Sequence, residues 1–144
     1  MLKKSIYLSA LVIVLFGCAA KKTSVSKSQG FPQTISYSTG FDIFIKNLNI
    51  ESQGLVSLDD YVPSNTMQKN FNFVTMPDDS PGIEGFIQVI PELFDALAFE
   101  EMGGYLIYFA QGIYQYKMPV KSLRNMLDIR GLVMVDIPRK KKSN

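Results

Sequence analysis

Apolar residues recur along this chain in short blocks divided by proline and glycine, and the C-terminal half is the more regular. Ile83 to Ile90 (IEGFIQVI) is apolar and β-branched enough for a strand. Pro91 follows where a helix tolerates proline, at its first position. Leu93, Phe94, Leu97 and Ala98 then share one helical face before Gly103 and Gly104 stop the helix. YLIYFAQGIYQYKM is a β-rich aromatic run with Gly112 as a bulge or turn, and the punctuation then repeats. Pro119 starts a helix with Val120, Leu123 and Leu127 as its stripe, Gly131 stops it, and Leu132 to Ile137 (LVMVDI) makes a buried strand closed by Pro138.

Helical connections of this length allow parallel, right-handed crossovers, whereas a hairpin at Gly112 makes the sheet mixed. The N-terminal half is more ambiguous. GFDIFIKNLNI fits a strand through Phe41, Ile43 and Ile45 and a helix through Phe41, Phe44, Ile45 and Leu48, with Thr39 and Asp42 as a candidate capping box; strand is the preferred reading. Phe71 to Met76 reads as a strand, and Ser57 to Asn70 and Pro77 to Gly82 read as loops. The expectation is one small α+β or mixed α/β domain over residues 35–138, with a mixed sheet and two short Pro-started helices, after a flexible tether.

The first residues are of a different kind. Lys3 and Lys4 precede an apolar run from Ile6 to Phe16, which ends in Gly17 and Cys18, the chain's single cysteine. That is the layout of a secretory signal peptide over residues 1–17, and the run is shorter than the about 20 apolar residues of a permanent span. Leu15-Phe16-Gly17-Cys18 resembles the lipobox of bacterial lipoproteins, which implies that Cys18 becomes residue one and carries a diacylglyceryl group. Two or more acyl chains hold a protein stably on a membrane where one does not. Ala19 follows in place of the Asp that marks inner-membrane retention in enteric-type bacteria. The resemblance therefore implies the outer membrane, or the outer face of the plasma membrane where there is only one. Residues 18–34 carry lysines, serines and threonines and little that could form a core, so they read as tether.

The formal charge of +2 hides an asymmetry. Residues 35–138 hold thirteen acidic and six basic residues, a body near −7, while the basic residues gather in the tether and in the tail of residues 139–144, at Arg139, Lys140, Lys141 and Lys142. An acidic body is repelled by phosphate, which with export argues against nucleic acid, whereas the tail suits a membrane or partner surface or a solvated end.

Catalytic options are narrow. The chain has no histidine and, once Cys18 is lipidated, no thiol, which removes the Ser-His-Asp arrangement and the usual zinc ligands. Asp78 with Glu84, or Glu100 with Glu101, could act as glycosidase-type carboxylate pairs, but adjacent acids ordinarily mark solvated turns. Asp59-Asp60 and Asp78-Asp79 lack EF-hand spacing, and Gly103-Gly104 lacks a phosphate-loop lysine. No cofactor, metal or catalytic residue is expected.

The aromatic run holds Tyr105, Tyr108, Phe109, Tyr114 and Tyr116. In a strand Tyr114 and Tyr116 share one face; the run reads either as an ordinary half-buried sheet or, if these tyrosines are exposed, as a partner interface with the basic tail. Met118 to Ile137 also resembles the helix-strand half of small domains in secretin rings and in lipoproteins of secretion machines. The resulting expectation is a lipid-anchored, non-catalytic adaptor of an envelope complex, most plausibly secretion or appendage machinery. The alternatives are a lipoprotein that binds a lipid, glycan or peptide, and a glycan-active enzyme.

Overall fold

The computed structural model describes residues 34–141; the signal peptide, Cys18, the tether up to residue 33 and Lys142 lie outside them. Strands β1 (Ser36–Tyr37), β2 (Phe73–Thr75), β3 (Pro81–Val89), β4 (Tyr105–Ala110), β5 (Ile113–Pro119) and β6 (Leu132–Asp136) form one sheet in the order β1-β6-β3-β5-β4, with β2 also on β3. Helices α1 (Thr39–Glu51), α2 (Asn65–Asn70), α3 (Ala96–Glu101) and α4 (Leu123–Met126) and two 3-10 turns, Leu58–Asp60 and Val120–Ser122, complete a mixed α+β domain. β1 and β6 run parallel, and the remaining pairs are antiparallel.

β3 is the central strand. Along one edge it pairs with β5 from Gly82 to Gln88. The opposite edge is shared, with β2 on Pro81 to Ile83 and β6 on Phe86 to Val89. Alternation then decides the faces: Ile83, Gly85, Ile87 and Val89 are buried, while Glu84, Phe86 and Gln88 point the other way. On the buried face the core gathers Phe44, Leu48, Phe71, Phe99, Tyr116, Met118, Leu123, Met126, Leu132 and Val135. Gly85 has no room for a side chain: a Cβ there would sit 2.1 Å from the Asp136 carbonyl and 2.9 Å from the Tyr116 ring.

Gly112, at φ +70°, makes the β4-β5 connection a tight hairpin, so the mixed-sheet expectation holds and no parallel crossover joins β3 to β5. The strands expected at Ile83 to Ile90, Phe71 to Met76 and Leu132 to Ile137 are β3, β2 and β6.

Several expectations are corrected. Phe41 to Ile50 lies in a helix, because Phe41, Phe44 and Leu48 form one buried stripe at spacings of three and four. Its cap is Ser38, whose Oγ accepts from the Phe41 N–H at 3.1 Å, in place of Thr39.

Of the two prolines expected to start helices, Pro119 does and Pro91 does not. Pro91 opens a turn held by the Phe94 N–H on the Ile90 carbonyl at 3.0 Å, and α3 begins only after Asp95, whose carboxylate accepts from the Ala98 N–H at 3.0 Å. Leu97 is consequently 65% exposed, and Phe99 is the residue α3 buries. Pro119, the last residue of β5 and paired with Gly82, is also the N-cap of the Val120–Ser122 3-10 turn that runs directly into α4, and Val120 and Leu123 of the expected stripe are buried. Ser57 to Asn70 is not all loop: it holds the Leu58–Asp60 turn and α2, which Ser64 caps through the Met67 N–H at 3.2 Å.

Leu123 is fully buried, so Leu123→Ala should cost about 2–5 kcal/mol in urea unfolding, and the half-buried Leu127 less. The Tyr116 hydroxyl is buried with no hydrogen-bond partner among the described residues. Tyr116→Phe should therefore leave stability unchanged or raise it, by up to about 1–3 kcal/mol, in the same measurement. A loss comparable to that of Leu123→Ala would show that the hydroxyl is satisfied.

Candidate functional site

Among the described residues the sheet leaves one long edge without a partner strand, and it belongs to β4. Of the described strands only β5 pairs with it, so on its other side alternate backbone N–H and C=O groups face away from the sheet. Its sequence, YLIYFA, carries no charge and no proline. Tyr105, Ile107, Tyr108 and Phe109 are all exposed, the last two by 67% and 66%.

Both faces of this strand are apolar. Tyr108 lies edge-on to Tyr114 at 5.9 Å between ring centroids, and Tyr114 stacks in turn on Phe94 at 6.2 Å. On the opposite face Phe109 meets Phe86 edge-on at 5.5 Å. Alternation from Tyr105 and Ile107 puts Phe109 on that face, and a bulge between Tyr108 and Ala110 makes Phe109 the extra residue, leaving Tyr105 to Tyr108 in regular register with β5. Beside the start of β4, an open groove of about 330 Å³ is lined by Glu100, Gly103, Gly104, Tyr105 and Leu106.

Tyr116, expected in the exposed patch, is corrected to a core residue. It faces Gly85 and lies edge-on to Phe99 at 6.2 Å, and its hydroxyl is pushed well above the usual phenol range by burial and then by the Asp136 charge. Tyr114 shares its face, as the spacing requires, but is half-buried under Phe94 and Tyr108. Parity along the strand gives which residues share a face, not which face is covered. The exposed aromatics are those of β4, before the hairpin, and the signal for them was the absence of any polar alternation in YLIYFA.

The tail is partly tied down. Arg139 forms a bridge with Phe71, the Lys140 N–H donates to the Asn70 carbonyl at 2.8 Å, and the Lys140 Nζ donates to the Gln68 carbonyl at 2.7 Å. Arg139, Lys140 and Lys141 are exposed, on elements other than β4. Lys142 and Cys18 lie outside the described residues.

The carboxylates separate into different environments. Lys121 Nζ bridges Asp59 and Asp78, each at 3.1 Å, across an open groove that Asp60, Asp79 and Ser80 also line. Hydrogen bonds from Ser80 and Lys121 push Asp78 down to about 2, so it holds no proton to donate near neutral pH. Glu84, its expected partner, accepts instead from Gln115 Nε2 on β5. Glu100 is exposed beside the β4 groove, with Glu101 next to it. Among the described residues no three acidic or thiol groups converge as metal ligands. Comparison with known proteins places no relative beside this chain: no protein-family model, curated protein or solved structure matches it.

Glu51 closes the loop after α1. It accepts from the Tyr61 hydroxyl at 2.8 Å, from the Ser64 N–H at 3.4 Å and from the Ser64 hydroxyl. Burial acts to raise its carboxyl, but the bonds from Ser64 and Tyr61 outweigh it and hold the group below its ordinary 4.5. A depressed folded-state value means that this contribution is full above about 4.5 and is lost as pH falls through the lowered value. Glu51→Gln should therefore flatten the fall in unfolding free energy between about pH 5 and pH 3, read by urea titration. An unchanged slope would remove Glu51 from the acid sensitivity.

Proposed function

We propose that this chain is a lipid-anchored, non-catalytic assembly component of a bacterial envelope complex, most plausibly secretion or appendage machinery, with Cys18 as the anchor and the β4 edge as the assembly surface. The observation that carries the reading is the edge itself: an uncharged strand with Tyr105, Ile107, Tyr108 and Phe109 exposed on a domain that is otherwise strongly acidic. Exposed, flat, apolar edges invite strand addition, and soluble monomers usually blunt them with Lys, Pro or a covering loop. The anchor rests on the lipobox resemblance, which further supports placement in the outer membrane, or on the outer face of a single plasma membrane.

The ligand-binding alternative draws on the grooves. The one beside β4 and the one around Lys121 are open and partly lined by carboxylates, which suits a lipid poorly. The glycan-active reading loses support from Asp78, which is paired with Lys121 and strongly acidic. The basic residues Arg139 and Lys140 support the domain's own chain ends as well as any surface role.

Two measurements test the proposal in the producing cell. Cys18→Ser should abolish labelling by a clickable fatty acid and release the chain from membranes, whereas equal labelling of both forms would remove the anchor. A photoreactive phenylalanine analogue at Tyr105 should give protein adducts on irradiation of intact envelopes. Adducts with glycan or lipid alone would favour the ligand-binding reading.

A further inference from the structure

The segment after β6 is laid against the domain, and this gathers positive charge. Arg139 bridges Phe71 antiparallel, the Lys140 N–H donates to the Asn70 carbonyl at 2.8 Å, and the Lys140 Nζ donates to the Gln68 carbonyl at 2.7 Å. The segment therefore runs beside the last turn of α2, which carries Lys69. Four cations from opposite halves of the sequence, Lys69, Arg139, Lys140 and Lys141, come together there, and all four are exposed. None is ion-paired among the described residues, although those residues hold thirteen carboxylates. Like charges held side by side repel, so the grouping adds nothing to stability and suits an anion outside the domain.

The kind of anion follows from what surrounds the cations. From Gln68 to Phe71 and from Ile137 to Lys141 no large apolar side chain is exposed, because Phe71 and Ile137 are buried in the core. A protein partner concentrates its binding energy on aromatic or apolar anchors, and this surface offers none. A layer of phosphate headgroups needs no such anchor, since each Lys or Arg brought close to it contributes separately. We propose that Lys69, Arg139, Lys140 and Lys141 form a docking surface for the anionic phospholipid headgroups of a membrane.

Charge elsewhere limits the docking without abolishing it. Asp79 shares an open groove with Gln68 and borders the patch, whereas charges farther round the body are screened over about 8 Å at physiological ionic strength. The four cations, and not the net charge, are what a surface in contact meets. The patch and the β4 edge lie on opposite sides of β3, because β2 and β6 hold one edge of β3 and β5 the other. A chain docked through the cations thus keeps the β4 edge for a protein partner. Only that last step rests on the assembly reading, and the docking itself requires neither β4 nor Cys18.

The test uses residues 32–144, which lack Cys18 and the tether lysines but contain the whole buried core, from Phe41 to Ile137. With thirteen acidic and ten basic residues this chain is near −3, so net charge alone predicts no binding to an anionic surface. It should nevertheless cosediment, in about 50 mM NaCl, with vesicles of phosphatidylcholine and phosphatidylglycerol in equal parts and not with phosphatidylcholine alone. Lys69→Gln should lower the partition constant about fivefold and Arg139→Gln with Lys141→Gln about 25-fold, whereas Arg130→Gln, the same change of charge ahead of β6, should lower it less than about twofold. Raising NaCl to about 300 mM should lower it at least tenfold, with circular dichroism unchanged throughout. Dependence on Arg139 and Lys141 but not on Lys69 would mean that a solvated tail acts alone, which overturns the docking surface. Equal losses from Arg130→Gln and Lys69→Gln, release by about 10 mM inorganic phosphate at constant ionic strength, or no binding to the anionic vesicles also overturns it. Vesicle binding by this chain, together with unchanged fatty-acid labelling of the Cys18→Ser full chain, upholds the docking surface and removes only the anchor.

Discussion

Gly85 is the point through which the sheet is organised. β3 gives up one edge to two different strands, and the changeover falls between Ile83, the last residue under β2, and Phe86, the first beside β6. The Asp136 backbone and the Tyr116 ring both close on this position, at distances no Cβ would permit. With two strands on that side, the β4-β5 hairpin has one place to go, the opposite edge of β3. β5 takes that edge along seven residues and becomes interior, so β4 ends the sheet. The exposure of β4 follows from the packing at Gly85, not from any feature of β4 alone.

Packing then divides the labour between faces. Rings run continuously from Tyr108 through Tyr114, Phe94 and Phe99 to Tyr116, so the surface aromatics are the outer end of the core's own array. Polar groups are used chiefly as latches outside it. Glu51 holds Tyr61 and Ser64, and Lys121 ties Asp59 to Asp78, fixing the irregular segment between α1 and α2 against the end of β5. The Lys121 pairs are exposed, and pairs of that kind are worth about 0–1 kcal/mol, so the segment depends more on the burial of Tyr61 and Met67.

The strands were legible because β3, β5 and β6 combine β-branched residues with clear punctuation, and Gly112 marked the hairpin. The helices were less so. Proline at position one is a preference: Pro91 opens a turn instead, whereas Pro119 both ends β5 and caps the helical turn that begins at Val120. α1 was misjudged because Phe41, Ile43 and Ile45 satisfy period two almost as well as Phe41, Phe44 and Leu48 satisfy the helix. What decides it is tertiary: the β6 edge accepts only the two residues of β1, and the helix packs against β6. The aromatic site was half-legible. Its residues stood in the run, but choosing Tyr105 and Tyr108 over Tyr114 and Tyr116 requires knowing which strand of the hairpin ends the sheet.

An acidic body with an uncharged edge has a physical consequence. Residues 34–141 hold thirteen acidic and nine basic residues, a body near −4, yet the β4 edge carries none of these charges. Repulsion therefore acts before contact, over a Debye length, whereas the apolar and backbone terms act only at contact. On the reading proposed above, such a chain would stay apart from others in bulk and engage a partner through β4 only when held close to it. A lipid on Cys18 would supply that condition, because it raises local concentration without adding a contact.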